Sequence, residues 1–262
     1  MSALPRELPA FGLAGAAIVC LLSATSPAFA QERRSDPLAG ISGRGHYESP
    51  QNFAAELRFG LLNPAVDSDH SLHGAPYKQV FGTAPRLLVS LELDWQALRI
   101  PYVGSFGPGL GVGFASISRP AVVTSTGLPS GETTSLTIIP FDLVGVLRVD
   151  VLWRAFGVPL VPYVKAGLGY ALWRASNTLG TSHADGVSGA GHSLGSHVAL
   201  GLAINLNPLD AYAARGFDDA MGVNGTYIFG EWTREDLDGL GIQSHALRVG
   251  GTSWTFGLAV EF

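Results

Sequence analysis

TSWTFGLAVEF, residues 252–262, carries an apolar side chain at every second position: Trp254, Phe256, Leu258, Val260 and Phe262. Between them stand Ser253, Thr255, Gly257, Ala259 and Glu261. Successive side chains of a strand point to opposite faces, so this stretch is a strand with one apolar and one small or polar face. Its terminal aromatic has the form expected of the closing strand of a barrel that insertion machinery recognises.

The same period recurs upstream. Phe53, Ala55, Leu57, Phe59 and Leu61 alternate with Glu56, Arg58 and Gly60, and Leu87 to Ala97 alternate with Arg86, Ser90, Glu92, Asp94 and Gln96. Further runs begin near Gly107, Thr137, Pro162 and Leu194. A seventh, TYIFGEW (226–232), has no clear face assignment, and the closing stretch is the eighth. Apart from that shorter seventh run, they are about 10 to 15 residues long, enough for the 9–11 that a tilted membrane-spanning strand needs. Connections alternate in length. Those at 63–85, 119–135, 175–193 and 234–246 are long and rich in Gly, Ser, Thr and His, whereas 98–107 and 152–160 are short. The connection 207–222 has room for a short helix from about Leu209 to Ala220. This layout predicts an all-β, transmembrane, up-and-down antiparallel barrel of eight strands, with ten as the second choice.

A soluble lipocalin-like barrel would show the same alternation with its apolar face inward. Three features favour lipid on the apolar side. The other face is mostly Gly, Ala and Ser, which suits a narrow lumen. Aromatics gather near strand ends, with Trp95, Tyr102, Trp153 and Phe156 toward one rim and Trp173, Trp232 and Trp254 toward the other, as two girdles require. The last strand has the assembly-signal form given above, carried by Trp254, Phe256, Leu258, Val260 and Phe262.

Composition agrees with that reading. Only 14% of residues are charged and 47% are hydrophobic, and the basic residues include just two lysines, Lys78 and Lys165. The formal charge of −5 with no basic stripe excludes nucleic acid as a partner. Residues 1–30 read as a secretory signal peptide, with an apolar run from Phe11 to Leu22 and an Ala28-Phe29-Ala30 cleavage site. Residues 31–50 read as a flexible lead, and 51–262 as the barrel. The sole cysteine, Cys20, falls in the signal, so no disulfide framework is expected.

The small face places Glu56, Arg58, Glu92, Asp94, Arg148, Asp150, Lys165 and Glu261 in the periplasmic half of the lumen, and Glu231 and Arg86 near the outer end. Charges inside a narrow barrel must pair or stay hydrated, so a salt-bridge network is expected. A small cation-preferring pore is the functional alternative. A third reading is a lipid-modifying enzyme using Asp67, Asp69, His70, His73, His183, Asp185, His192 and Ser193 of the outer loops. A nucleophile needs a base within reach and a group to orient it, and no such spacing is evident. His70 with His73 and His183 with Asp185 form no structural zinc pattern. No metal, cofactor or catalytic residue is assigned.

At ELRFGLLNPAVD, PLVPYVKAGLGYALW, NGTYIFGEW and SWTFGLAVEF the sequence resembles a family of outer-membrane β-barrels known mostly from myxobacteria. The resemblance runs from about residue 53 to 262. It implies a bacterial outer-membrane location and a barrel architecture, and no activity. The expected partners are outer-membrane lipid, lipopolysaccharide and the barrel assembly machinery, with the protein a monomer.

Overall fold

A computed structural model describes residues 52–68, 74–122, 129–178, 180–184, 187–241 and 247–262. The expected signal and lead, and loop residues Asp69, His70, His73 and Asp185, lie outside the described residues.

Eight antiparallel strands close into a barrel. They are β1 (Phe53–Leu62), β2 (Arg86–Trp95), β3 (Gly104–Val122), β4 (Pro129–Arg148), β5 (Leu160–Asn177), β6 (Ala190–Asn205), β7 (Gly225–Asp236) and β8 (Gly251–Glu261). Each pairs with its sequence neighbours, and β8 pairs back onto β1 with Leu57 opposite Leu258 and Phe59 opposite Phe256. Closure removes every edge along the shared height of the wall. Phe262 completes the seam: its N–H donates to Phe53 O (3.0 Å), the Phe53 N–H donates to Phe262 O (2.9 Å), and the two rings stack at 6.0 Å.

The end that carries Phe53 and Phe262 is the base, and the opposite end is the mouth. The base connections hold a short strand at Leu98–Ile100 and two helices, α1 (Val151–Phe156) and α2 (Ala211–Met221). The expected helix near Leu209–Ala220 is thus present as α2. The connection at 152–160, expected to be a plain turn, contains most of α1. β4 ends at Arg148, and α1 begins at Val151.

The wall is uneven in height. β1, β2, β7 and β8 have 10, 10, 12 and 11 residues, whereas β3 to β6 have 19, 20, 18 and 16. Much of the expected loop at 119–135 is therefore strand: Ser118, Arg119 and Pro120 pair with Ser135, Thr134 and Thr133.

Side-chain polarity reverses along these tall strands. Below the reversal the outward row Leu93, Leu110, Leu143 and Leu168 is paired in register and 40–63% exposed. Above it the outward positions are Ser116, Thr137 and Arg174, then Ser118, Ser135 and Ser176. The inward positions change in the opposite sense, from Asp142, Arg148 and Lys165 to Ile117, Leu136 and Ile138. Each tall strand thus presents an apolar outward face in the lower wall and a polar one in the upper wall.

The upper inward face is covered from within. A helical turn at Pro76–Phe81 brings Tyr77 and Phe81 onto Leu62, Leu88, Ile117, Leu136, Ile138, Leu237 and Val249, with Trp173 packed against the cluster. Asp67 fixes the turn by accepting from the Tyr77 N–H (2.7 Å) and the Lys78 N–H (3.0 Å), and Arg86 Nη2 donates to Phe81 O (2.5 Å). Burial pushes the Tyr77 phenol above its usual value, against the pull of the Arg86 charge. Trp173, expected in a girdle, instead faces inward in this plug. Trp153 packs against the lowest lumen cluster of Val161, Tyr163, Ala203, Tyr227, Phe229 and Ala259.

Candidate functional site in the barrel lumen

The lumen is filled in layers. At the base, aromatic rings rest against glycines: Tyr163 lies over Gly201 and Phe229 over Gly257, where a Cβ would collide with each ring. This resolves the ambiguous face of β7. Tyr227 and Phe229 point inward, where Gly225 of the same strand and Gly257 of β8 leave room for them, while Ile228 and Trp232 point outward.

Above this layer lies the charged network. Register places Glu56 directly opposite Glu92, an arrangement that repels unless cations stand between them. Lys165, fully buried, supplies one: Nζ lies 2.8 Å from Glu56 Oε2, 2.5 Å from Glu92 Oε1 and 3.4 Å from Glu231 Oε2. Arg58 binds Glu92 and Glu231 through its two terminal nitrogens and lies 3.3 Å from Glu56. Arg148 binds Glu56, donates to Asp94 Oδ2 (2.9 Å) and lies 3.8 Å from Glu261. Glu261 also accepts from Tyr227 Oη (2.7 Å) and Gln96 Nε2 (2.8 Å). The Tyr163 ring lies beneath the cations, its centroid 5.1 Å from Lys165 Nζ and 5.6 Å from Arg148 Cζ. Glycine again provides space, since Gly109 faces Asp94 and Gly111 faces Glu92 in register.

Two positions differ from expectation. Asp150 is outside this network, in the turn beyond β4, 2.5 Å from Arg99 Nη1 and 3.1 Å from Arg154 Nε. Glu231, expected near the mouth, is fully buried at mid-barrel with Arg58 and Lys165. Arg86 does lie toward the mouth, tied to Phe81. Trp254, Phe256 and Leu258 of the closing strand face outward and are 51–57% exposed, while Glu261 points into the network.

Above the network a second polar group brings together residues far apart in sequence. His197 Nδ1 lies 3.0 Å from Asp142 Oδ1 and 3.4 Å from Glu235 Oε1. Alternation puts Asp142 and His197 inside, whereas Glu235, in the expected loop 234–246, joins them because β7 runs on to Asp236. Their donors lie within 4.8 Å of one another and are of a kind that binds divalent metals, as are those of Glu56, Glu92 and Asp94. In both groups the protein already supplies a hydrogen-bonding or cationic partner. The cavity beside His197, bounded also by Arg58, Glu92, Asp142 and Glu235, is about 10 Å³, room for one water.

The outer-loop chemistry does not assemble among the described residues. Ser193 is buried and donates to Leu247 O (2.7 Å), while the adjacent His192 is on the opposite face, its ring 5.7 Å from that of Tyr170. Asp67 is used in holding the helical turn of the plug.

No family model matches the chain, and no curated protein matches it. Among solved structures, the attachment invasion locus protein Ail of Yersinia pestis is similar at 11% identity and a TM-score of 0.38 in its complex with the heparin analogue sucrose octasulfate. Without that ligand the TM-score is 0.37, and both matches cover 82% of this chain and 99% of Ail. The N-terminal β-barrel domain of Pseudomonas aeruginosa OprF is similar at 12% identity and a TM-score of 0.35, over 82% of this chain and 100% of that domain. At such identities no residue role passes from these proteins to this chain.

Proposed function

We propose that the protein is an integral outer-membrane β-barrel with a structural or surface-interaction role, of the myxobacterial type that its sequence resembles. The observation that carries this reading is the polarity reversal on β3 to β6. Outward leucines at 40–63% exposure are costly in water, whereas the serines, threonine and arginine above them belong there. Hydrocarbon also demands a closed sheet, because a backbone group left unpaired there costs several kcal/mol. On this reading the mouth faces outward, the base faces the periplasm, and outer-membrane lipid and lipopolysaccharide surround a monomer.

The lumen favours this role over a pore. The charged layer and the apolar plug lie in series, and each spans the interior. Protein reconstituted into planar bilayers is expected to give no steady conductance above baseline, with Asp94→Asn leaving that result unchanged. Stable ohmic steps sensitive to Asp94→Asn would favour the cation-pore reading. Among the described residues no nucleophile and base come together to support the enzyme reading.

The closing strand is proposed as the recognition element for the assembly machinery. Phe262 contributes three backbone hydrogen bonds, two with Phe53 and one from the Asn52 N–H, and a ring stack to the seam. Deleting it is expected to remove most of the folded, heat-modifiable protein from the membrane fraction, whereas deleting residues 31–40 leaves the yield near wild type. Equal yields would count against this role.

A further inference from the structure

The helix α2 at the base is oriented against the usual rule for amphipathic helices. It is well defined at both ends: Asp210 accepts from the Tyr212 N–H (3.1 Å) and the Ala213 N–H (2.9 Å), and Gly222 closes it in the left-handed conformation (φ 69°). At 100° per residue, Ala213, Phe217 and Ala220 gather on one side of the helix, flanked by Tyr212 and Met221, and Leu209 stands just before its cap. Arg215 and Asp218 lie on the other side. A helix packed on a protein turns its apolar side inward, and this one does the reverse. Ala214 and Asp218 are its least exposed positions, whereas Leu209, Tyr212, Phe217 and Met221 are 83%, 90%, 52% and 70% exposed. None of its residues is buried. A helix of 11 residues is marginal in water without a surface to hold it.

Its position identifies the surface. It leaves β6 just past Leu202 and Ile204, which are outward and 42% and 39% exposed, so the apolar band of the wall continues into Leu209. The neighbouring base turn is tied to the same strand end by Asn205 N–H donating to Pro159 O (2.8 Å), and it presents Phe156 and Val158 at 74% and 39% exposure. Apolar side chains therefore extend from the wall onto the base along β5 and β6.

We propose that α2 is an interfacial anchor whose Leu209, Tyr212, Phe217 and Met221 side lies in the periplasm-facing leaflet of the membrane that the barrel spans. This rests on the membrane reading above. The helix fixes the depth of the barrel where the wall steps down from β6 to β7, and its polar side faces the periplasm and the barrel base.

Site-specific labelling tests it. In the membrane-purified protein carrying Cys20→Ser, single cysteines are introduced as Phe217→Cys, Arg215→Cys and Leu110→Cys and labelled with an environment-sensitive fluorophore. Each is then reconstituted into phosphatidylethanolamine–phosphatidylcholine vesicles. The labels at 217 and 110 are expected to emit blue-shifted, to lose most of their emission to spin-labelled lipid and to resist aqueous iodide, while the label at 215 behaves oppositely. Quenching of 217 by iodide to the same extent as 215, with 110 still lipid-quenched, would overturn the anchor and leave the barrel reading intact. Iodide quenching at 110 as well would remove the membrane reading itself. Protection of 217 from iodide with no loss of its emission to spin-labelled lipid, while 110 is lipid-quenched, would identify a protein cover, such as a second copy, and overturn the anchor.

Discussion

Lys165→Met is expected to destabilise the barrel by about 3–5 kcal/mol, because it leaves buried carboxylates without their cation. Lys165 is fully buried, with Glu56, Glu92 and Glu231 within 3.4 Å of its ammonium. Methionine fills most of the same space, so the loss is one of charge rather than packing. Arg58 touches the same three acids and cannot also take the place of Lys165. The urea midpoint for loss of heat-modifiable mobility in detergent should fall accordingly. Adding Glu92→Gln to the variant should recover part of the loss, since it removes one of the stranded charges. A midpoint within experimental scatter of wild type would show that the network carries little of the barrel's stability.

Leu143→Arg tests the outer face. Leu143 sits in the lower, apolar part of β4, between outward Phe141 and Leu147, in the row Leu93, Leu110, Leu143, Leu168, and is 53% exposed. If that face meets hydrocarbon, arginine near its midplane costs about 2–4 kcal/mol, and folding into vesicles falls steeply. If it meets water, the same change at a half-exposed position lies within about 0.5 kcal/mol. Ser118→Arg, above the polarity reversal, is the matched control and should be neutral in both cases. The two variants separate lipid from water using the same chemistry on adjoining strands.

The eight strands were legible because period two is written plainly on seven of them, and the small inner face of β8 identifies its partner wall. β7 resisted because its inward Tyr227 and Phe229 look like an outward face until Gly257 and the other lumen glycines are seen to leave space for them. Glu56, Arg58, Glu92, Asp94, Arg148, Lys165 and Glu261 lie in the lumen where alternation puts them. Glu231 was misplaced in height, and Asp150 in environment, because alternation gives the face of a residue and not where its strand begins or ends. Trp173 shares parity with Tyr163 and Lys165, so its inward direction was readable. Its proximity to a strand end pointed to a girdle, and the plug made by Tyr77 and Phe81 was not visible in a loop sequence. The meeting of Asp142, His197 and Glu235 depends on stagger among three strands and has no local signature.

The most direct test of a membrane-spanning barrel is fractionation of cells expressing the full chain, followed by electrophoresis with and without boiling. The protein is expected in the carbonate-resistant outer-membrane pellet, with a mobility that shifts on heating as the closed sheet unfolds. Recovery in the soluble periplasmic fraction, monodisperse without detergent and with no heat-dependent shift, would contradict it.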